Sequence, residues 1–198
     1  MPVEKLRNRI QGAIDRRLDP VTRVLARLGV RPSQITVAGT LICLTGAGLV
    51  LADRLVLAGA VWLAGSALDL VDGALARNQG QVTAGGAFLD STLDRISEGA
   101  LFVAITYHFA QGGDALAAAF TAIALLGALL VSYTRARAEA LGANCKVGII
   151  TRAERVVLLG LGLCFGLIEP AVYLLAALSA VSVAQRVHHS LRELGANP

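Results

Sequence analysis

Four aspartates, Asp69, Asp72, Asp90 and Asp94, fall within 26 consecutive residues of a chain in which 55% of residues are hydrophobic and only 16% are charged. Ordinary soluble domains carry about 25% charged residues. On a helix Asp69 and Asp72, at i and i+3, share a face, and Gly73, Ala76 and Arg77 fall on the same broad stripe. Gly86, Asp90 and Asp94 repeat at i, i+4 and i+8 on the next predicted helix. The intervening segment is short, which predicts that the two helices are antiparallel neighbours with both acidic stripes facing each other. Four unpaired carboxylates there repel one another and lose hydration at a large cost. Arg77 alone does not neutralise them. Two divalent cations do, and carboxylate oxygens are hard ligands of the kind that suit Mg²⁺ or Mn²⁺. A pair of such ions about 4 Å apart suits phosphoryl transfer. Interhelical hydrogen bonds and ion pairs without metal would explain one aspartate in a membrane helix, but not four at these spacings.

The elements that must carry these residues are apolar. Mean hydropathy is +0.64, and apolar stretches run over 34–52, 55–76, 87–110, 115–134, 156–168 and 171–185. Spanning a bilayer takes about 20 apolar residues; the last two stretches reach that length only by extending into polar flanks that face a cavity. The expected fold is an all-α integral membrane protein with six transmembrane helices. The 21 glycines fit close helix–helix approach in lipid. With the N-terminus in the cytoplasm, Arg54 is the only basic residue on the outer side, which satisfies the positive-inside rule and places both termini in the cytoplasm.

Residues 4–28 form a basic amphipathic pattern, with Leu6, Ile10, Ile14, Leu18, Val21, Leu25 and Leu28 on one side. They predict an interfacial helix, kinked or split at Pro20. The domain organisation expected is therefore 1–30 as a juxtamembrane amphipathic helix and 31–198 as a six-helix domain. The N-terminus lacks the continuous apolar core of a cleaved signal peptide. Cys43, Cys145 and Cys164 have neither disulfide nor zinc-site spacing and read as small core residues.

The stretch from Asp69 to Asp94 reads D-x2-D-G-x2-A-R-x8-G-x3-D-x3-D, with all eight specified positions filled. It resembles the signature of the CDP-alcohol phosphotransferases, as do the six-helix layout and the amphipathic N-terminal helix, so the resemblance covers nearly the whole chain. It implies a reaction: a CDP-linked lipid donor, such as CDP-diacylglycerol or its ether-lipid equivalent, binds with its pyrophosphate on two Mg²⁺ or Mn²⁺ ions, an acceptor hydroxyl attacks the phosphorus distal to cytidine, and CMP leaves. It implies metal ligation by Asp69, Asp72, Asp90 and Asp94, with Asp94 as general base. Pro32, Thr36, Asp69, Gly73, Ala76 and Arg77 match positions that bind the donor; an N-cap role for Ser33 or Thr36 is the plainer reading of the first of these segments. A homodimer in the cell (plasma or inner) membrane, with a site open to the cytoplasm and no nucleic-acid partner, completes what the resemblance implies.

The acceptor is read from the arginines. Arg135, Arg137, Arg152, Arg155 and Arg186 collect on the cytoplasmic side. Guanidinium groups donate paired hydrogen bonds to phosphate, which favours an acceptor that carries its own phosphate; ordinary positive-inside loop charge is the plainer reading. The segments 94–100, 132–140 and 152–155 resemble the phosphatidylinositol-phosphate synthase branch of the family and its archaeal counterparts, which implies inositol 1-phosphate, although Arg135 stands where that branch commonly has lysine. Glycerol 3-phosphate is the alternative acceptor. Glu139 and Glu154 are expected to hold arginines by ion pairs, and His108, His188 and His189 to lie at the interface. A cation transporter is disfavoured because the acids cluster at one end without a polar path onward. A non-catalytic membrane scaffold is disfavoured because every motif position is filled.

Overall fold

Pro32 opens the first long helix: proline needs no partner for an N–H there, and its φ is already helical. The Arg31 N–H donates to Gln34 Oε1 at 2.9 Å and closes the entry turn. The computed structural model describes residues 17–195 and is all-helical over them. The elements are α1 (helical at 17–27), α2 (Pro32–Leu51), α3 (Leu55–Asn78), α4 (Ala84–Gln111), α5 (Ala115–Ala140), α6 (Arg152–Cys164) and α7 (Ile168–Gly195). Thr83 caps α4 by accepting from the Gly86 N–H at 3.0 Å, and Asp114 caps α5 by accepting from the Ala117 N–H at 2.9 Å.

Four helices, α2, α3, α5 and α7, are long and apolar enough to cross a membrane. Helix α4 has the length, at 28 residues, but carries Asp90, Asp94, Arg95 and Glu98. Helix α6 has only 13 residues and is shifted four residues toward the N-terminus from the predicted stretch: it starts at Arg152 and stops at Cys164, and Gly166 then turns the chain with a φ of 67°. The expected amphipathic segment is described only from residue 17; Leu6, Ile10 and Ile14 lie outside the described residues. Helix α1 continues past Pro20 without a break. Val21, Val24 and Leu28 are exposed, while Thr22 is buried and accepts from Asn78 Nδ2 at 2.7 Å.

The expectation that α3 and α4 pack as direct neighbours is corrected. Helix α2 packs against both, and α3 and α4 are not packed along their lengths. Small residues on α2 and on the facing side of α3 allow the close α2–α3 contact. A Cβ on Gly39 would sit 3.1 Å from the Gly65 carbonyl oxygen, and one on Gly65 would sit 2.7 Å from Cys43 Sγ. Helix α3 also packs on α6, α4 on α5, and both α5 and α6 on α7. The core between them holds Trp62, Leu101, Phe102, Ile105, Leu159, Leu163 and Leu175. Trp62 donates from Nε1 to the Val156 carbonyl at 3.1 Å, tying α3 to α6. Cys43 and Cys145 are buried, Cys164 is half-buried, and all three are free.

Candidate active site

The C-terminal end of α3 and the N-terminal half of α4 bring the carboxylates together. Asp69, Asp72 and Asp90 each offer an oxygen, and these oxygens all lie within 4.8 Å of one another. Asp72 is buried, and its Oδ2 accepts from Thr36 Oγ1 at 2.6 Å. Thr36 lies inside α2 rather than at its N-cap, so its hydroxyl orients a site carboxylate. Asp90 Oδ1 is buried and has no hydrogen-bond partner among the described residues. An unpartnered buried carboxylate oxygen beside two further carboxylates fits a divalent cation in chemistry and in spacing.

Asp94, one turn beyond Asp90, is held differently. Arg152, the first residue of α6, donates from Nη2 to Asp94 Oδ1 at 2.7 Å and from Nη1 to Asp69 Oδ2 at 2.7 Å. One guanidinium therefore spans α3 and α4. Arg95 lies 3.5 Å from Asp94 Oδ2 and donates to Ser132 Oγ at 3.1 Å. A cleft of about 270 Å³ opens beside Asp72 and Asp90. Its walls include Pro32, Thr36, Gly73, Ala76 and Arg77, so every residue expected to bind the donor lines it except Asp69, which lies behind at the carboxylate group. Ser33, Gln81, Val82, Thr83, Gly86 and Ala87 complete it; the short α3–α4 loop thus closes one side. Gly73 leaves space for the Arg77 guanidinium, since a Cβ there would lie 3.2 Å from Nη1.

The arginines expected to form one phosphate site are not gathered as a single open group. Arg135 is 46% exposed and pairs with Glu139 at 2.9 Å, as expected. Arg137, two residues on, points to another face, where it lines a small cleft with Tyr133, Leu141 and Leu191. Arg155 is 1% exposed and clamped by Glu98, from Nε at 2.7 Å and Nη2 at 2.9 Å. Arg186 is buried, donating from Nε to the Val147 carbonyl at 2.9 Å and from Nη1 to the Val131 carbonyl. Arg152 is the member that reaches the carboxylates. Glu154 does not hold an arginine: it accepts from the Thr151 N–H at 2.8 Å and caps α6. His108 and His189 pair with Asp53 and Glu193 at 3.2 and 3.1 Å.

Two features of the site had little sequence signal. One is Glu98, recognisable only as an acid one turn beyond Asp94. The other is a polar stripe on α7. Ser182, Arg186, His189 and Glu193 recur at helical spacing and contact the backbone of the α5–α6 connector at Ile150, Val147 and Asn144.

Residues 30–185 match the family described as CDP-alcohol phosphatidyltransferase. Over 188 residues the chain is 35% identical to the archaetidylinositol phosphate synthase of Pyrococcus horikoshii, covering 94% of this chain and 97% of that protein. The fold superposes on the phosphatidylinositol phosphate synthase of Mycobacterium tuberculosis crystallised with CDP-DAG bound, with a TM-score of 0.86 and 32% identity over 92% of this chain and 98% of that one. A second structure of the same protein, with manganese and citrate, gives a TM-score of 0.86 and 32% identity over 91% and 92% of the two chains. The match begins just before the cleft residue Pro32 and runs into α7, so the carboxylates, the cleft and Arg152 all lie inside it, and the chain belongs to the CDP-alcohol phosphatidyltransferase family and is a transferase.

Proposed function

We propose that the chain transfers a phosphatidyl group from CDP-diacylglycerol, or its ether-lipid equivalent, to inositol 1-phosphate and releases CMP. The observation that carries this reading is the cleft walled by Pro32, Thr36, Gly73, Ala76 and Arg77 that opens on Asp72 and Asp90. It offers a nucleotide-sized recess whose inner end is a carboxylate group suited to a cation. Mg²⁺ or Mn²⁺ held by Asp69, Asp72 and Asp90, with a second ion shared with Asp94, would neutralise the donor's diphosphate and the charge that builds up during transfer. Arg77 faces the cleft and steadies the nucleotide. Asp94 takes the proton of the acceptor hydroxyl as its oxygen bonds to the lipid-bearing phosphorus, and the bond from that phosphorus to the CMP oxygen breaks. Asp94 is 9% exposed, so few waters compete for the phosphorus.

Arg135 and Arg152 meet the acceptor's phosphate, backed by the charge of Arg155 and Arg186, while Arg137 contributes charge at the cytoplasmic rim. The names of the similar proteins support inositol phosphate over glycerol 3-phosphate. The reading places residues 1–30 as a membrane-surface helix and 31–198 as the catalytic domain. The domain crosses the cell membrane six times, with both termini and the site on the cytoplasmic side, and works as a homodimer. The exposed apolar residues of α1 and the position of Arg54 support this topology.

CMP release by the purified protein with CDP-diacylglycerol and Mg²⁺ tests the proposal, comparing inositol 1-phosphate, glycerol 3-phosphate, inositol and serine. Release with inositol 1-phosphate alone is expected. Release with glycerol 3-phosphate alone would overturn the acceptor and keep the chemistry.

A further inference from the structure

The most deeply buried charges among the described residues touch none of the reacting groups above: Arg155 lends only its charge, and Glu98 has been given no role. Glu98 is 2% exposed and Arg155 1%, and they meet through two hydrogen bonds. Withdrawing two charges from water costs several kcal/mol each, and their attraction in the interior offsets that only when the geometry is good; an apolar pair of similar volume is often as stable. Stability alone is therefore a weak explanation for this pair.

Its location supplies a stronger one. Glu98 lies one turn beyond Asp94 on α4, and Arg155 one turn beyond Arg152 on α6. The buried pair thus repeats, one turn deeper, the ion pair between Arg152 and Asp94. Helices α4 and α6 are not among the closely packed pairs of this bundle. Helix α6 packs on α3, where Trp62 ties the two, and on α7, while these two ion pairs link it to α4. A guanidinium gripped along its Nε–Nη2 edge has a defined plane as well as a defined position.

We propose that Glu98, through its two hydrogen bonds to buried Arg155, is a positioning residue that sets α6 so that the Arg152 guanidinium stands between Asp69 and Asp94, where the acceptor phosphate arrives. This rests on the reading of the site given above. It assigns Arg155 to the placement of Arg152 rather than to contact with the acceptor, consistent with its burial.

The test is the apolar exchange Glu98→Leu with Arg155→Met, which removes both charges together and leaves neither stranded. The double variant is expected to unfold at the wild-type temperature or above. Its KM for the phosphorylated acceptor should rise roughly tenfold or more, since small misplacements at a reacting site have large effects. Its KM for the CDP-linked donor should stay within about twofold, because the donor cleft lies on α2, α3 and α4. In an Arg152→Ala background the same exchange should change the acceptor KM no further, a non-additivity that a merely structural role would not produce.

Wild-type acceptor kinetics in the folded double variant would overturn the proposal, as would equal losses for donor and acceptor. If the double variant does not fold, Glu98→Asp decides. It keeps the charge but shortens the reach by one methylene, and an unchanged acceptor KM would overturn the proposal. A wild-type protein that transfers to no phosphorylated acceptor would instead overturn the proposed function, which separates the two failures.

Discussion

Asp94 and Asp90 are one helical turn apart, yet the structure gives them different partners. Asp90 belongs to the three-carboxylate group, while Asp94 is held by Arg152. Their substitutions should therefore separate. Asp94→Asn is expected to lower kcat by about 10²–10⁴, the usual contribution of a positioned base, while Mn²⁺ binding at the Asp69, Asp72 and Asp90 group, followed by electron paramagnetic resonance, persists. Asp90→Asn should weaken Mn²⁺ binding by more than about tenfold, since even residues behind the ligands of a metal site contribute 10–100-fold. Equal loss of Mn²⁺ binding in both would remove the distinction. The aspartates and the small residues beside them were legible in the sequence because helical spacing alone puts them on shared faces. The arginines were not. Arg135 and Arg137 are two residues apart and so lie on different faces of α5, and Arg155 and Arg186 are taken by Glu98 and by backbone carbonyls. Sequence counts such charges but does not show what has already engaged them.

Helix α2 carries no catalytic charge, but α3 and α4 both pack on it. It separates α3 from α4 along most of their lengths, so the two acidic stripes meet only near the motif ends. The sequence marked the helices by their apolar stretches and the turns by the polar breaks between them, although the last turn falls at Gly166, before the Glu169–Pro170 break that the sequence suggests and that lies inside α7; a short loop between α3 and α4 reads equally well as a direct hairpin. What decides otherwise is the contact between α2 and α3, where Gly39 of α2 and Gly65 of α3 bring the two backbones into close approach. Gly65→Val would place its Cβ 2.7 Å from Cys43 Sγ and 3.0 Å from the Gly39 carbonyl oxygen. Overpacking of this kind costs about 1–3 kcal/mol. Asp69 follows Gly65 by one turn, so activity should fall with stability. Thermal unfolding in detergent, measured beside CMP release, should show both losses together, with partial recovery when Cys43→Ala is added. A loss of stability with full turnover would show that the α2–α3 contact does not position Asp69.

The whole molecule poses a problem of length. Helix α6, at 13 residues and about 1.5 Å per residue, is roughly 20 Å long, against a hydrocarbon core of about 30 Å. A six-crossing topology therefore needs the connector at 141–151 to enter the membrane from the cytoplasmic side as non-helical backbone. Such backbone is tolerated at membrane depth only where protein satisfies its polar groups. The stripe on α7 does this: Ser182 Oγ accepts from the Ile150 N–H at 3.0 Å, and Arg186 donates to the Val147 carbonyl at 2.9 Å. The same arrangement lets α6 begin at the depth of Asp69 and Asp94, which brings Arg152 within reach of both. Single cysteines at Ala52, Gln81, Gln111, Leu141 and Phe165, in a chain with Cys43, Cys145 and Cys164 replaced by alanine, test the topology with an impermeant thiol reagent. Gln81→Cys and Leu141→Cys should label only from the cytoplasmic side. Ala52→Cys, Gln111→Cys and Phe165→Cys should label only from the other. Labelling of Phe165→Cys from the cytoplasm would make α6 a re-entrant helix and move the C-terminus to the outer side. The backbone satisfaction supplied by α7 would then serve a loop rather than a crossing.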